Sequence, residues 1–365
     1  LYDFVAHSAL EFYSSGEQAG SRAIDSFDLS ADSPIFAQAN EFRDWKPETA
    51  DEDSLTLKAI SIYQQLLLFH QNDEDQTAIL DTDLLRLKFG HNKAFGEEKT
   101  ARYKAALKRF ADAHSDHPIS SRALHELAQV IHGEGDFVEA RKVASQGLER
   151  FPESIGGKRC YNLIQNIEAR QSRVETERVW NDPRPTIDVH YRNVTKIYFR
   201  LVRTDFDRFL NSNRWQQEQL NQQQRKALLR RQPIKAWSAD LPITEDYRER
   251  VEKIPSPGDI PPGSYFLIAS HNADFSEPDN QNTFTEIWES DLALVLRNHN
   301  NRGLIDGFVL DAENGEPIQG ASIKAWKRDR RNRVVSVPSL KSDDNGRFEY
   351  RTANNERLIF MATHK

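Results

Sequence analysis

The chain has 365 residues, of which 38% are hydrophobic and 29% charged, and its formal net charge is −7 at pH 7. This length predicts two or three domains of about 150 residues, each large enough for a core, while the negative charge argues against a nucleic-acid partner, which requires a basic face. No apolar run approaches the roughly 20 residues of a bilayer span, and a single cysteine, Cys160, excludes an internal disulfide.

The first half of the chain has the apolar spacing of helices. Residues 54–71 place apolar side chains three and four positions apart, and residues 77–89 continue the pattern. Two prolines, Pro118 and Pro152, lie 34 positions apart, and each follows a helical segment. This spacing predicts a repeated pair of helices, and we expect the helices on either side, including residues 158–180, to cap the stack.

Residues 121–154 resemble one tetratricopeptide repeat, whose period is 34 residues. The matching positions are Leu124, Leu127, Ala128 and Ile131 in the first helix, Ala140 and Ala144 in the second, and Pro152 at the end. Between the helices, Gly135 can adopt positive φ and Asp136 can cap the second helix. The preceding unit matches only at Ala106, Phe110 and Pro118. The sequence therefore predicts helical pairs, with an extended array left open.

One face of the first repeat helix is polar and forms the candidate binding site. It carries Arg122, His125, Gln129 and His132, on the face that lines the groove in tetratricopeptide proteins. Two interpretations stay open for these residues. They either receive a peptide or neighbouring domain, or they form a solvated polar surface, which is the more frequent situation for such faces.

Histidines in the same region suggest a metal site, which their spacing disfavours. His125 and His132 are seven positions apart, about 10 Å by helix rise, whereas zinc holds its nitrogen ligands at about 2 Å. His114 and His117 have no convincing third ligand beside them. We therefore expect no metal and no cofactor here.

The pattern changes to strands after the prolines at 183 and 185. Alternating apolar residues predict strands at 186–193 and 195–203, and fully apolar stretches predict buried strands at 261–270 and 286–297. A polar helix at 214–232 interrupts them. We expect an α-helical domain at 1–180, a β-sandwich with this inserted helix at 181–300, and a second β-sandwich module at 301–365 that is either cut short or just complete.

The stretch GFVLDAENGEPIQGASIKAW, residues 307–326, is typical of strand, tight turn and strand. Asn314-Gly315 suits a two-residue hairpin in which both residues have positive φ. The acidic residues of this module's turns, Asp311, Glu313, Asp343 and Asp344, allow a calcium site. Because the EF-hand order is absent, turn chemistry is the better explanation for them.

The order of motifs in the second half resembles a known family. The strand Pro-Gly-x-Tyr at 262–265 is followed by WESDLAL at 288–294. A hairpin motif comes next, Gly307-x-Val309-x-Asp311-x3-Gly315-x-Pro317-x2-Gly320-Ala321, and then Asp344-x-Gly346-x-Phe348. The hairpin motif resembles carboxypeptidase-regulatory-like and macroglobulin-like modules. With LPITEDYRERVEKI at 241–254, the whole order over roughly residues 187–365 resembles the N-terminal region of bacterial alpha-2-macroglobulin family proteins.

This resemblance implies a role that composition and spacing do not. Members of the family inhibit endopeptidases by entrapment, after the protease cuts a bait segment, and many carry a Cys-x-Glu-Gln thioester. The cysteine here stands in Cys160-Tyr-Asn-Leu, and no bait segment is evident. The resemblance therefore implies a multidomain α plus β protein, with a tetratricopeptide-like helical-repeat domain followed by antiparallel β-sandwich modules, that serves as a non-catalytic scaffold. Its target proteases would be engaged by the full-length protein.

The alternative is a cell-envelope scaffold that binds proteins and is unrelated to protease inhibition. Both interpretations place the protein in the periplasm, outside the cell or at the cell surface. The sequence starts at Leu1 and ends in a strand-like IFMATHK, so we expect a piece of a longer protein whose targeting signal is not shown. An enzyme is disfavoured, since the sequence has no Gly-rich phosphate loop, nucleophile elbow or zinc-protease motif.

Overall fold

The computed structural model describes residues 1–15, 26–212, 220–277, 280–299, 303–329, 333–351 and 358–364. The chain forms two compact units, Leu1–Ala169 and Arg170–Lys365. In the described residues no helix is both long and apolar enough to cross a membrane.

The first unit consists of helices around one core. The helices are α1 (Tyr2–Ser14), α2 (Ala39–Asp44), α3 (Leu55–Phe69), α4 (Thr77–Lys93), α5 (Lys99–Ala113), α6 (Ile119–Gly133), α7 (Phe137–Arg150) and α8 (Ile155–Glu168). Their apolar stripes meet in the core, where Leu66, Leu87 and Leu107 are almost fully buried. Burial of such side chains is the main stabilising contribution, about 1.5–3 kcal/mol each.

The predicted turn between α6 and α7 is confirmed. Gly135 has φ +82°, and the Asp136 carboxylate accepts a hydrogen bond from the Glu139 amide at 3.1 Å. Ala128, Ala140 and Ala144 are fully buried, so their small side chains allow the helices to approach closely.

The helical unit ends earlier than predicted. The prediction of helix over 171–180 is wrong, because this segment forms strands β1 (Gln171–Glu175) and β2 (Val179–Trp180). In β1 the buried Ser172 and Val174 alternate with exposed neighbours, and this period of two belongs to a strand. The first unit therefore ends at Ala169 rather than at 180.

The first β module is a sandwich of two sheets. Its further strands are β3 (Thr186–Arg192), β4 (Lys196–Thr204), β5 (Lys235–Asp240), β6 (Arg250–Pro255), β7 (Gly263–Ser270) and β8 (Thr283–Glu289). One sheet has the order β1-β3-β6 and the other β2-β8-β7-β4-β5. Only the short β2–β8 pairing is parallel among the described strands. The alternation predicted for 186–193 and 195–203 is confirmed, since Ile187, Val189, Ile197 and Phe199 enter the common core.

Two helices follow β4, α9 (Phe206–Ser212) and α10 (Gln222–Leu229). Of the helix predicted at 214–232, residues 222–229 are helical, and residues 214–219 lie outside the described part of the chain. Leu220 and Leu228 cover the outer face of the five-stranded sheet at Phe266 and Ile268.

The second β module contains β9 (Leu292–His299), β10 (Leu304–Asp311), β11 (Ser322–Arg328), β12 (Val334–Lys341), β13 (Arg347–Arg351) and β14 (Leu358–Thr363). Its sheets have the orders β13-β10-β9 and β12-β11-β14. The single strand predicted at 286–297 is wrong, because Ser290 and Asp291 separate β8 from β9. All eight residues of β9 pair with β10, so this module begins at Leu292 rather than at 301.

The tight hairpin predicted at 307–326 is also wrong, because β10 and β11 belong to different sheets. Asp311 and Glu316 close a longer loop, in which the Asp311 amide donates to the Glu316 carbonyl at 2.8 Å. Gly315 has φ +76°, whereas Asn314 is not among the residues with positive φ. A loop of four residues, such as 312–315, needs positive φ only at its last residue. The fold class itself, a helical region followed by antiparallel β modules, is confirmed.

Candidate functional site: a cleft on helices α4, α6 and α8

An open cleft of ≈ 760 Å³ lies in the helical unit. Its lining comes from three helices: Lys88 of α4, then His125, Glu126, Gln129 and His132 of α6, and Arg159, Asn162, Leu163 and Asn166 of α8. On α6 and α8 these residues recur every three or four positions, so each helix presents one polar stripe to the cleft.

Two glycines allow the first turn of α8 to lie against its neighbours. A Cβ on Gly156 would lie 2.3 Å from the Arg122 amide nitrogen, and one on Gly157 would lie 2.1 Å from the Phe151 carbonyl oxygen. Both distances are far below contact, so glycine is required for this approach. The Ser154 hydroxyl caps the helix by accepting from the Gly157 amide at 3.0 Å.

Three of the four residues of the predicted site line this cleft. His125 is buried, Gln129 is exposed and His132 is half-buried. Arg122 is not among the lining residues, and it forms an ion pair with Asp81 of α4. Its side chain therefore bridges two helices, a role that a wheel of α6 alone cannot predict.

The two histidines keep unpartnered nitrogens inside the protein. His125 Nδ1 and His132 Nε2 are buried and have no hydrogen-bond partner within the described residues. The His132 ring packs edge-on against Phe137, with centroids 5.0 Å apart. A buried polar atom without a partner costs about 1–3 kcal/mol.

Burial lowers the pKa of His125, and the positive charges of Arg159 and Lys88 lower it further, against the opposing effect of Glu126. His125 is therefore neutral at neutral pH. Lys88 and Glu126 pair at 3.0 Å across α4 and α6. Among the described residues no carboxylate lies within ion-pair distance of Arg159, so the cleft has one uncompensated positive charge.

This arrangement offers hydrogen-bond donors to a ligand. Amide and guanidinium groups can donate hydrogen bonds to a peptide backbone or carboxylate. In the described part of the chain no group of three His, Cys, Asp or Glu side chains could hold a metal ion. His117 caps α6 instead, since its Nδ1 accepts from the Ile119 amide at 3.2 Å.

The sequence prediction missed the contributions of α4 and α8. Arg159, Asn162 and Asn166 share a stripe on α8, and this periodicity was available in the sequence. The position of Lys88 beside the cleft could not be predicted from the sequence, because it depends on the packing of α4 against α6.

Acidic residues in the turns of the second β module serve the backbone. The Asp343 carboxylate accepts from the amides of Asn345 and Arg347 at 2.9 and 2.8 Å. The Asp311 carboxylate accepts from those of Glu313 and Asn314 at 2.9 and 3.1 Å. This geometry is the turn chemistry predicted for Asp311 and Asp343.

No family model matches the sequence, and no curated protein matches it. Solved structures of one protein from Escherichia coli are similar in part. A crystal structure of native alpha-2-macroglobulin spanning domains NIE-MG1 is 17% identical, with TM-score 0.36, over 48% of this chain and 88% of that one. A second, spanning MG0-NIE-MG1, is 17% identical with TM-score 0.38, over 53% of this chain and 64% of that one.

A cryo-EM reconstruction of native Escherichia coli alpha-2-macroglobulin is 18% identical, with TM-score 0.30, over 48% of this chain and 11% of that one. The chain is thus structurally similar to N-terminal domains of that protein over about half its own length, at low identity. The matched region spans 11% of the complete Escherichia coli molecule.

Proposed function

We propose that this chain is the non-catalytic scaffold region of an alpha-2-macroglobulin-like endopeptidase inhibitor. The observation that carries the proposal is the order of motifs in the second unit. The Pro-Gly-x-Tyr motif begins β7, and WESDLAL runs from β8 into β9. The hairpin motif begins in β10 at Gly307 and ends after it, with Gly315-x-Pro317-x2-Gly320-Ala321. WESDLAL therefore falls at the junction of two successive β-sandwiches, with one of the other motifs on either side of it, as expected of a chain of macroglobulin-like modules.

In this proposal the β modules are structural, and trapping of the protease depends on parts of a longer protein. The segment 288–294 is short because it connects the last strand of one sandwich with the first strand of the next. Residues of α9 support this connection, since the Phe206 ring contacts both Trp288 and Trp326, at 4.8 and 5.7 Å between centroids. We further propose a periplasmic or cell-surface location.

The test uses the complete protein encoded by the parent gene. Entrapment shields a protease from large substrates by steric exclusion, so the complete protein should slow cleavage of a protein substrate while sparing cleavage of a small chromogenic peptide. The 365-residue chain alone should affect neither reaction. The proposal would be refuted if the complete protein slowed neither reaction, or if this chain alone inhibited a protease stoichiometrically.

A second candidate function rests on the cleft. Its unpartnered His125 and His132 nitrogens and its uncompensated Arg159 favour binding of an extended protein segment, as a tetratricopeptide-like repeat would provide. Changing His125, Gln129 and His132 together to alanine should abolish capture of the partner by the chain. The matched control is Arg122→Ala, which removes a cation of α6 outside the cleft and should leave capture intact. Equal capture by both variants would show that the side chains of the cleft do not bind the partner.

A further inference from the structure

His70 occupies an unusual position at the C-terminal end of α3. Its Nδ1 lies 2.7 Å from Asp73 Oδ2 and its Nε2 lies 2.9 Å from Asp3 Oδ1. Asp73 belongs to the turn after α3, whereas Asp3 belongs to the first turn of α1. The His70 residue is 5% exposed, whereas the side chains of Asp3 and Asp73 are 51% and 44% exposed, so the two bonds are shielded from water on the imidazole side only.

The two bonds together require a charged imidazole ring. A carboxylate only accepts hydrogen bonds, and a neutral imidazole has a single N–H to donate. Only the imidazolium can therefore donate to Asp3 and Asp73 at the same time. We propose that His70 is a proton-dependent latch, which holds helix α1 on α3 when protonated and releases the bond to Asp3 when it loses the proton.

The helix ends favour this charge arrangement. The His70 amide donates to the Leu66 carbonyl at 3.0 Å, so its ring stands at the negative end of the α3 dipole. Asp3 stands at the positive end of the α1 dipole, where a carboxylate is stabilised. The nearby cation of α2, Arg43, reaches Gln71 at 3.3 Å and is already paired with Asp44 at 2.9 Å.

Apolar contacts also attach α1, and its Tyr13 is partly buried against the core of the unit. Ala6 and Leu10 are its buried residues, and the Tyr2 and Phe69 rings lie 4.7 Å apart. An isolated helix of this length is only marginally stable in water. Loss of one partly buried, charge-assisted bond should therefore increase the opening of the whole helix.

The direction of the pH effect follows from linkage. Burial lowers the pKa of His70, but the hydrogen bonds and charges of Asp73 and Asp3 outweigh it, so the pKa is raised above 6.5. The latch contributes fully below the pKa of the unfolded chain and is lost as the pH rises through the higher folded value. We expect α1 to be held more firmly in mild acid than in mild alkali.

Hydrogen exchange of the complete 365-residue chain tests the latch at about pH 5.5 and about pH 8.5, after correction for intrinsic rates. Protection of the α1 amides should fall by about tenfold for each unit by which the bond to Asp3 raises the pKa of His70. Helix α7, which contains no histidine, is the internal control. Equal protection of α1 at both pH values would overturn the proposal.

Two variants separate the latch from a general effect of pH. Asp3→Asn removes the carboxylate from α1 and should abolish the pH dependence of its protection. His7→Gln changes an exposed histidine of the same helix and should preserve that dependence. If Asp3→Asn leaves α1 unfolded, NMR titration of His70 in the unchanged chain tests the latch instead. A pKa of His70 at or below 6.5 would contradict it.

Discussion

Arg184 and Glu289 form a two-bond ion pair, with Arg184 Nη1 and Nη2 donating to the two carboxylate oxygens at 2.7 Å each. The hydrogen bonds to Glu289 raise the pKa of Arg184, so this side chain is always charged. Glu289 is the last residue of β8 and is buried. The pair therefore links the segment 181–185, which contains two prolines and precedes β3, to the C-terminal end of β8.

This pair predicts the effect of Glu289→Gln. The amide leaves a half-buried guanidinium with a poorer partner, and we expect a loss of about 1–3 kcal/mol in unfolding free energy. Five of the six tryptophans lie after residue 169, so tryptophan fluorescence in urea follows mainly the second unit. Arg184→Lys keeps the charge but loses the second bond, and it should cost less. An unchanged urea midpoint for Glu289→Gln would contradict a role for this pair.

A buried ion pair in α4 predicts a larger effect. The Arg86 guanidinium donates to Asp83 and to the Ile35 and Ala37 carbonyl oxygens, the last two at 2.6 and 3.1 Å, and Arg86 is 1% exposed. Removing one partner of a buried pair typically costs about 3–5 kcal/mol. We expect Asp83→Ala to destabilise the helical unit by about that amount in urea unfolding followed by helical circular dichroism. A midpoint close to that of the parent chain would show that the carbonyl oxygens suffice.

Two glycines of neighbouring helices should respond differently to replacement by alanine, which should destabilise the chain at Gly156 but not at Gly133. Gly156→Ala forces α8 away from the backbone of α6 at Arg122, and overpacking of this kind costs about 1–3 kcal/mol. At Gly133, the last residue of α6, an added Cβ meets nothing within 4 Å. Gly133→Ala should be neutral or stabilise by up to about 1 kcal/mol. Thermal unfolding of both variants checks the difference, and equal losses would contradict the close approach at Gly156.

Cys160 should be unreactive in the folded chain. Its side chain is fully buried in the helical core, and burial raises the pKa of the thiol to about 12. The thiolate is the reactive species, so a thiol reagent near neutral pH should label the chain only after denaturation. Rapid stoichiometric labelling of the native chain would show that α8 opens readily or packs differently.

The second β module should lose stability in acid through Asp306. This carboxylate is fully buried, and hydrogen bonds from Arg297, followed by those from His299, hold its pKa at about 2, below the usual 3.8. A depressed folded pKa contributes stability above 3.8 that is lost as the pH falls toward 2. Asp306→Asn should flatten this part of the pH–stability curve, and Glu313→Gln, at an exposed turn position, should not. A curve unchanged by Asp306→Asn would contradict the assignment.

Local patterns in the sequence determined much of this protein. The three- and four-residue spacing of apolar side chains predicted α3 to α7. The Gly135-Asp136 pair predicted the turn between α6 and α7, and the alternation of apolar and polar residues predicted β3 and β4. These features depend on backbone geometry and on which face is apolar, and both act over a few residues. The fully apolar stretch at 261–270 likewise identified β7 as an internal strand.

Only the tertiary structure decided which segments meet. WESDLAL looks continuous, yet Ser290 and Asp291 divide it between two sandwiches, because strand pairing is settled by distant partners. Arg122 and His125 stand on one helix, but packing of α4 directs Arg122 to Asp81 and leaves His125 in the cleft. The His70 latch joins residues 67 positions apart. Such contacts depend on the approach of whole helices, and short-range periodicity carries no information about that approach.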